Sequence, residues 1–159
     1  MQTDAKTYYD SKAKKMFELY KQNLPCKKVY GVVEKDNQYM VLYLPNKKYK
    51  YQLSGGGVEE NETNSQALER ELLEELNVNV EIIKSLGNIS YVRTWEYEGK
   101  SFDVNYQTEI FYTKFVSFAK NKKMGIQGEF DNSIKMMEIS KQEMLDNVAE
   151  FALYKLKLN

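Results

Sequence analysis

A chain of 159 residues with 42% hydrophobic content is long enough to close one hydrophobic core. Its 23 Lys and Arg balance 23 Asp and Glu, so it lacks the basic excess of a protein that grips a nucleic-acid backbone. With no histidine and one cysteine, Cys26, it has no Ser-His-Asp triad, no Cys-His pair, no His-ligated zinc and no internal disulfide. Acid–base chemistry therefore falls to carboxylate, lysine or tyrosine, and metal chemistry to oxygen ligands that suit magnesium or manganese. The lone cysteine suits a reducing compartment. Residues 1–15 are polar with mixed charge, and no stretch reaches membrane-spanning length. The sequence reads as cytoplasmic, with no membrane partner and no stable nucleic-acid complex.

The first predicted element is a helix over 4–23, with Tyr9, Ala13, Met16, Phe17 and Tyr20 near one face and Pro25 beyond its end. Strands follow at 28–34 and 39–44, joined by an Asp36-Asn37 turn, and a short one at 49–53. Ser54 to Gly57 is expected to break that strand. The clearest helix is 63–76. Strands at 80–86, 89–95 and 103–118 come next, with a turn at Glu98-Gly99-Lys100 between the last two. A polar loop covers 120–131, a short strand 134–139, and Ser140-Lys141-Gln142-Glu143 carries a capping-box pattern that opens a last helix over 140–157. There are no repeats and no linker. The expectation is a single α/β (α+β) domain over 1–159, with mostly antiparallel strands, helices on the sheet faces and an extra N-terminal helix within 1–24.

Charge is unevenly spread. Between Lys50 and Lys84 the only cation is Arg70, among eight glutamates. Glu71, Glu74 and Glu75 stand at i, i+3 and i+4, which puts them on one side of the predicted helix. Like charges at that spacing destabilise a helix by roughly 0.2–0.5 kcal/mol per pair. A divalent cation would relieve them through its oxygen ligands. Leu68, Leu72 and Leu76 form a separate docking stripe. Gly55 to Gly57 lie just before the helix, where bare backbone can approach a ligand closely. Arg70 is suited to bidentate bonds with a carboxylate or a phosphate, and its place on the helix suggests that it orders the acidic cluster. Taken alone, a glutamate-rich helix face is more often simply solvated, and a glycine run more often a turn.

The joint spacing decides between these readings. Gly56, Glu62, Arg70-Glu71-Leu72, Glu74-Glu75 and Asn77-Val78 stand in a register that resembles the Nudix box, Gly-x5-Glu-x7-Arg-Glu-U-x-Glu-Glu-x-Gly-U. The resemblance covers 56–78. It departs at Asn77, where the box ends its helix with glycine; asparagine is the next most tolerant residue of a left-handed cap. The approach, residues 53–59, is also similar, with Ser54 where proline is common.

The resemblance implies a Nudix-type mixed sheet between helices and hydrolysis of a phosphoanhydride in a nucleotide. The carbonyl of Gly55 and the carboxylates of Glu71, Glu74 and Glu75 would hold Mg²⁺, with Mn²⁺ as an alternative. Glu71 would be the base for the attacking water or a further ligand, and Glu62 and Arg70 organisers. Family members often add a later carboxylate; Glu129 is favoured here, with Asp131 and Glu109 as rivals. Tyr91, Trp95 and Tyr97, past the box, are candidates to stack on a base, although strand residues in a core are the plainer reading. The default substrate by analogy is a nucleoside triphosphate, including oxidised purine deoxynucleotides, cleaved to monophosphate and pyrophosphate.

Two other classes compete. A non-catalytic Nudix-like binding module usually loses box carboxylates, and all four are present here. A prenyl-diphosphate isomerase on the same fold would need a cysteine within the sheet, whereas Cys26 is expected to precede the first strand. A homodimer is left open. So is the job of the N-terminal helix: dimer contact, cover over the site, or packing.

Overall fold

The computed structural model describes residues 5–119, 135–152 and 156–158. Helix α1, Ala5–Gln22, is followed by β1, Cys26–Lys35, and β2, Gln38–Tyr43. Asp36 and Asn37 both take left-handed backbone, with φ of 52° and 65°, which matches the two-residue turn that twist-matched hairpins prefer. Cys26 is not ahead of the first strand, as the sequence suggested, but is its buried first residue.

The strand predicted over 49–53 is reduced to β3, Tyr51–Gln52, and the glycine run forms a strand of its own, β4, Ser54–Gly57. It pairs antiparallel with β1, from Lys28 opposite Gly57 to Gly31 opposite Ser54. Glycine allows this because a Cβ at Gly55 would lie 2.0 Å from the carbonyl oxygen of Val29. None of the three takes a positive φ. Close approach, not unusual dihedrals, is why Gly55 and Gly56 are glycines; a Cβ on Gly57 would meet nothing within 4 Å.

Helix α2, Asn64–Leu76, begins at Thr63, whose hydroxyl accepts from the Gln66 amide while Gln66 reaches back to the Thr63 amide. Ala67, Leu68, Leu72 and Leu76 are buried against Val29, Val33, Met40 and Leu42 of the sheet. The helix sits so close that a Cβ on Gly31 would meet Leu68 and Leu72 methyls at 3.1 and 3.2 Å. It ends on Asn77 at φ 60°, ψ 38°, the left-handed cap expected of the residue standing in for glycine. The Asn77 side-chain amide donates to the carbonyl of Ala119 at 3.2 Å.

The two strands expected at 80–86 and 89–95 are one, β5, Val78–Tyr97. It pairs antiparallel with β6, Lys100–Phe118, through the predicted turn at Glu98 and Gly99. Gly87, at φ 139°, falls at a register shift, so the apparent break in the pattern is a bulge within a continuous strand. Among the described residues five of the six strand pairings are antiparallel, in line with the expectation, and one is not. β1 runs parallel to β6 along its length, from Cys26 opposite Tyr106 to Glu34 opposite Lys114. Side-chain alternation has the same period in either direction, so the sequence carried no sign of it. The sheet order is β3-β2-β1-β6-β5, with β4 beside β1 and β7, Lys135–Ile139, beside β2.

The last helix is split. α3, Lys141–Asn147, begins with the predicted capping box at Ser140 and Glu143, and α4 covers Ala149–Ala152. Val148 between them is extended and fully buried, and it bridges to Tyr51, so tertiary pairing overrides helix continuation. Met144, Val148 and Phe151 pack with Val32, Leu53 and Ile110 on the face opposite α2. α1 docks Ala13 and Met16 onto Trp95, Phe102, Val104 and Tyr106 of the β5–β6 hairpin. Among the described residues no helix is long and apolar enough to cross a membrane.

The Asn77 cap generates a contrast. Asn77→Ala puts an ordinary side chain in left-handed backbone and removes the bond to Ala119, and should cost about 2 kcal/mol. Asn77→Gly loses the bond but relieves the backbone, and should stay within about 1 kcal/mol of the parent. Equal losses in urea titration would refute this account of the cap.

Candidate functional site

α2 carries its apolar stripe to the sheet and leaves Glu71 and Glu75, one turn apart, on the side that faces β4. Both are buried, at 4% and 8% exposure. Glu75 is fixed by two donors on one oxygen: the fully buried Ser54 hydroxyl donates to Oε1 at 2.7 Å, and the Gly55 amide at 2.9 Å. The sequence marked Ser54 only as a departure from proline. It is in fact the side chain that holds Glu75, and proline there would supply no donor.

Glu71 lies over Gly56. A Cβ on Gly56 would meet the Glu71 carboxyl carbon at 2.5 Å, so that glycine is the cradle of a carboxylate. Arg70 gathers the rest, as its position on the helix suggested. Its Nε and one terminal nitrogen donate to both oxygens of Glu62, at 2.8 and 3.0 Å. The other terminal nitrogen donates to Glu71 Oε1 at 3.0 Å and lies 3.6 Å from Glu74. Nη2 also donates to the carbonyl of Gly57 at 3.0 Å, tying the cluster to the glycine strand. Glu74 is 43% exposed and turned toward solvent.

The electrostatics separate these carboxylates. The Arg70 bonds, helped by the Glu59 amide, hold Glu62 down at about 2. Glu71 is pushed up to about 6, by burial first and then by Glu75 and Glu74, against the pull of Arg70. Glu75 is raised as well, again chiefly by burial, against the Ser54 and Gly55 donors. Glu74 raises both buried carboxylates and Glu75 raises Glu71, while Arg70 at Glu71 and Lys28 at Glu75 only partly offset burial.

That state fits a hard divalent cation by donor chemistry: clustered carboxylates beside a strand of bare backbone. Among the described residues, however, no three acidic or thiol side chains stand close enough to share one ion as they are. Arg70 draws Glu71 and Glu74 toward itself, while Ser54 and Gly55 hold Glu75.

The later carboxylates divide. Glu129 and Asp131 lie outside the described residues. Glu109 is half-buried on β6 and accepts from the Asn64 side-chain amide at 2.8 Å. The aromatic candidates divide too. Trp95 is buried under α1, stacked on Tyr9 at 5.3 Å, with its indole N–H donating to the Tyr106 hydroxyl at 2.9 Å. Tyr97 packs against Phe17 of the same helix. Tyr91 instead stacks on Tyr106 and lines a cavity of about 470 Å³ shared with Tyr30, Tyr51, Lys47, Thr108 and Glu150. Among the described residues the buried Thr108 hydroxyl has no hydrogen bond of regular geometry, though it lies close enough to the Tyr91 hydroxyl to act on it. Tyr30 in this cavity wall is the strand partner of Gly55, so the cavity and the acidic cluster meet across one β1–β4 pair. Cys26 is buried and its thiol pushed up by burial despite Lys28, Lys12, Lys15 and Arg93 nearby, so it has no thiolate character for nucleophilic work.

The glycine geometry predicts that Gly55→Ala, which must separate β4 from β1, costs more than about 3 kcal/mol. Gly57→Ala meets nothing within 4 Å and should cost under about 0.5 kcal/mol. Unfolding titrations that rank the two equally would refute it. The Glu71 shift is upward, so its contribution to stability is complete below about 4.5 and is lost as pH rises through about 6. In protein free of divalent ions, Glu71→Gln should be up to about 2 kcal/mol more stable than the parent at pH 8, with little difference at pH 4.5. A parent that is the more stable at pH 8 would overturn the assignment of burial as the dominant cause.

A profile of the NUDIX domain matches residues 27–153. No curated protein shows significant similarity to the chain. Several hundred solved chains share the fold. A NUDIX hydrolase from Nitrosomonas europaea superposes with TM-score 0.51 at 23% identity, covering 77% of each chain. A MutT NUDIX hydrolase from Burkholderia pseudomallei gives 0.53 at 14% identity, over 77% of this chain and 85% of that one. A UDP-X diphosphatase gives 0.54 at 14%, over 89% of this chain and 64% of that one. The sheet between helices, the box spacing and the profile match agree: the chain belongs to the NUDIX domain family.

Proposed function

We propose that the chain is a magnesium-dependent pyrophosphohydrolase of nucleoside triphosphates that releases a monophosphate and pyrophosphate, with manganese as an alternative ion. The observation that carries this reading is the pair of buried carboxylates, Glu71 and Glu75, pressed on the glycine strand with their affinity for protons raised. A buried acidic pair of this kind is costly to fold and useful chiefly when a cation and an anionic substrate complete it.

The Gly55 carbonyl with Glu71, Glu74 and Glu75 would hold the ion, which when bound neutralises phosphate charge and acidifies water. Glu71 is the base in this reading. A carboxylate near 6 is deprotonated at neutral pH yet accepts a proton more readily than an ordinary glutamate. Arg70 and Glu62 keep α2 and the glycine strand in fixed register, so the carboxylates meet the phosphate without rearrangement. The nucleoside enters the tyrosine-lined cavity, where Tyr91 offers a face for stacking and Thr108 a hydroxyl. The phosphates then cross the Tyr30–Gly55 pair toward Glu75. Glu109, with Glu129 and Asp131, remains a candidate for a further ligand.

A screen of nucleotides and nucleotide sugars, reading phosphate products with and without magnesium, tests the reading. Nucleoside diphosphate-linked compounds belong in it, because similar folds include a UDP-X diphosphatase and an ADP compounds hydrolase. Absence of metal-dependent turnover across the panel would favour a non-catalytic nucleotide-binding module. Glu75→Gln keeps the oxygen that accepts from Ser54 and Gly55 but loses the charge, and should lower kcat by at least about 100-fold with unchanged circular dichroism. Near-parental turnover in that variant would remove Glu75 from the machinery.

A further inference from the structure

The family match begins at residue 27, so α1 lies outside it. One face of α1 is spoken for: Ala13 and Met16 are buried on the β5–β6 hairpin, with Phe17 packed beside them. Another face, Tyr8, Lys12 and Lys15 at i, i+4 and i+7, looks across a groove of about 1050 Å³. The opposite wall of that groove is Gly57, Glu59 and Glu71. An adjoining pocket of about 480 Å³ shares Lys12 and Lys15 and adds Lys28, which is opposite Gly57 in the β1–β4 pairing.

Among the described residues none of Lys12, Lys15 and Lys28 forms an ion pair. Lys12 and Lys28 are half-buried. Lys12, Lys15, Lys28 and Arg93 all act on the one Cys26 thiol, so the positive charges are gathered. A neutral protein has thus set a wall of lysines across open space from an acidic one; Lys28 already acts on Glu71 and Glu75, Lys12 lies over the Tyr8 ring, and Glu18 also lines the groove. Each wall lacks what a metal-complexed phosphate chain carries: negative oxygens for the lysines, a cation for the carboxylates.

We infer that Lys12 and Lys15 of α1, with Lys28 of β1, bind the terminal phosphates of the substrate and the pyrophosphate that leaves, so that this hydrolase selects nucleotides with a free triphosphate over diphosphate-linked ones. The inference rests on the hydrolase reading above and adds the direction in which the phosphate chain lies. Water oxygen bonds to the α-phosphorus and its proton passes to Glu71. The bond from the α-phosphorus to the bridging oxygen breaks, and its electron pair stays on that oxygen as pyrophosphate. Negative charge grows on the leaving group as the bond opens, and the ammonium groups stand where it grows.

The test uses inorganic tripolyphosphate as the probe, bound to the full chain in the presence of excess magnesium and followed by calorimetry. Lys12→Gln combined with Lys15→Gln should weaken binding at least about tenfold. A charge-matched control, Lys84→Gln with Lys114→Gln on exposed strand positions, should stay within twofold. The same Lys12 and Lys15 variant should raise KM for a nucleoside triphosphate at least fivefold more than KM for a nucleotide sugar. No tripolyphosphate binding by the parent, or equal weakening in both double variants, overturns the inference. So does turnover of triphosphates that is indifferent to Lys12 and Lys15, and this leaves the hydrolase reading standing. Lysine-dependent tripolyphosphate binding without turnover of any nucleotide has the opposite sense: the groove is an anion site and the hydrolase reading falls.

Discussion

Glu71 and Glu75 are held largely out of water, one turn apart, against a strand of one serine and three glycines whose small residues let them approach. Much of the structure around the site follows from keeping that arrangement intact. The glycines of β4 let backbone and carboxylate meet, Ser54 and the Gly55 amide fix one acid, and Arg70 restrains the other. Charge alone would drive the acids apart. What opposes it is the apolar stripe of α2, fastened to the sheet at Gly31, with Asn77 closing the helix at its far end. The site is therefore a strained electrostatic arrangement on an ordinary hydrophobic mounting.

Arg70 explains why the cluster is stable without being neutral. Its two-pronged grip on Glu62 uses the guanidinium for structure, and only the remaining nitrogen reaches Glu71 and Glu74. Glu62 is kept ionised while Glu71 is not fully compensated. Neighbouring carboxylates on one short segment thus differ widely in proton affinity, and that difference separates a structural anion from a reactive one.

The sequence was most informative where spacing is chemistry. The box register, the capping box at Ser140, the paired turn residues at Asp36 and Asn37, and Asn77 as a left-handed cap were all legible, because each depends on local geometry. Strand direction was not legible, since β1 and β6 alternate in the same way whether parallel or antiparallel. The bulge at Gly87 read as a gap between two strands, because glycine interrupts the alternation in either case. Val148 interrupts the last helix through a contact with Tyr51, nearly one hundred residues away, which no local pattern encodes. Ser54 stood out as a departure with no role attached, and only its distance to Glu75 supplied one. The aromatics were the least readable. With 13 tyrosines in the chain, only packing separates Tyr91, on a cavity, from Trp95 and Tyr97, under a helix.

The seating of α1 on the β5–β6 hairpin bears on how that helix can behave. Its contact is a continuous run of aromatic and sulfur-bearing side chains: Tyr9 on Trp95, Phe17 between Tyr97 and Phe102, Met16 at the Tyr106 hydroxyl. Lifting the helix to admit a ligand would wet all of these together, an expense much greater than one phosphate contact returns. Tyrosine and tryptophan surfaces laid bare in that way also invite other chains to cover them. The helix is thus tied down along its whole contact face, and a phosphate bound in the groove as proposed would be met by movement of the lysine side chains rather than of the helix backbone.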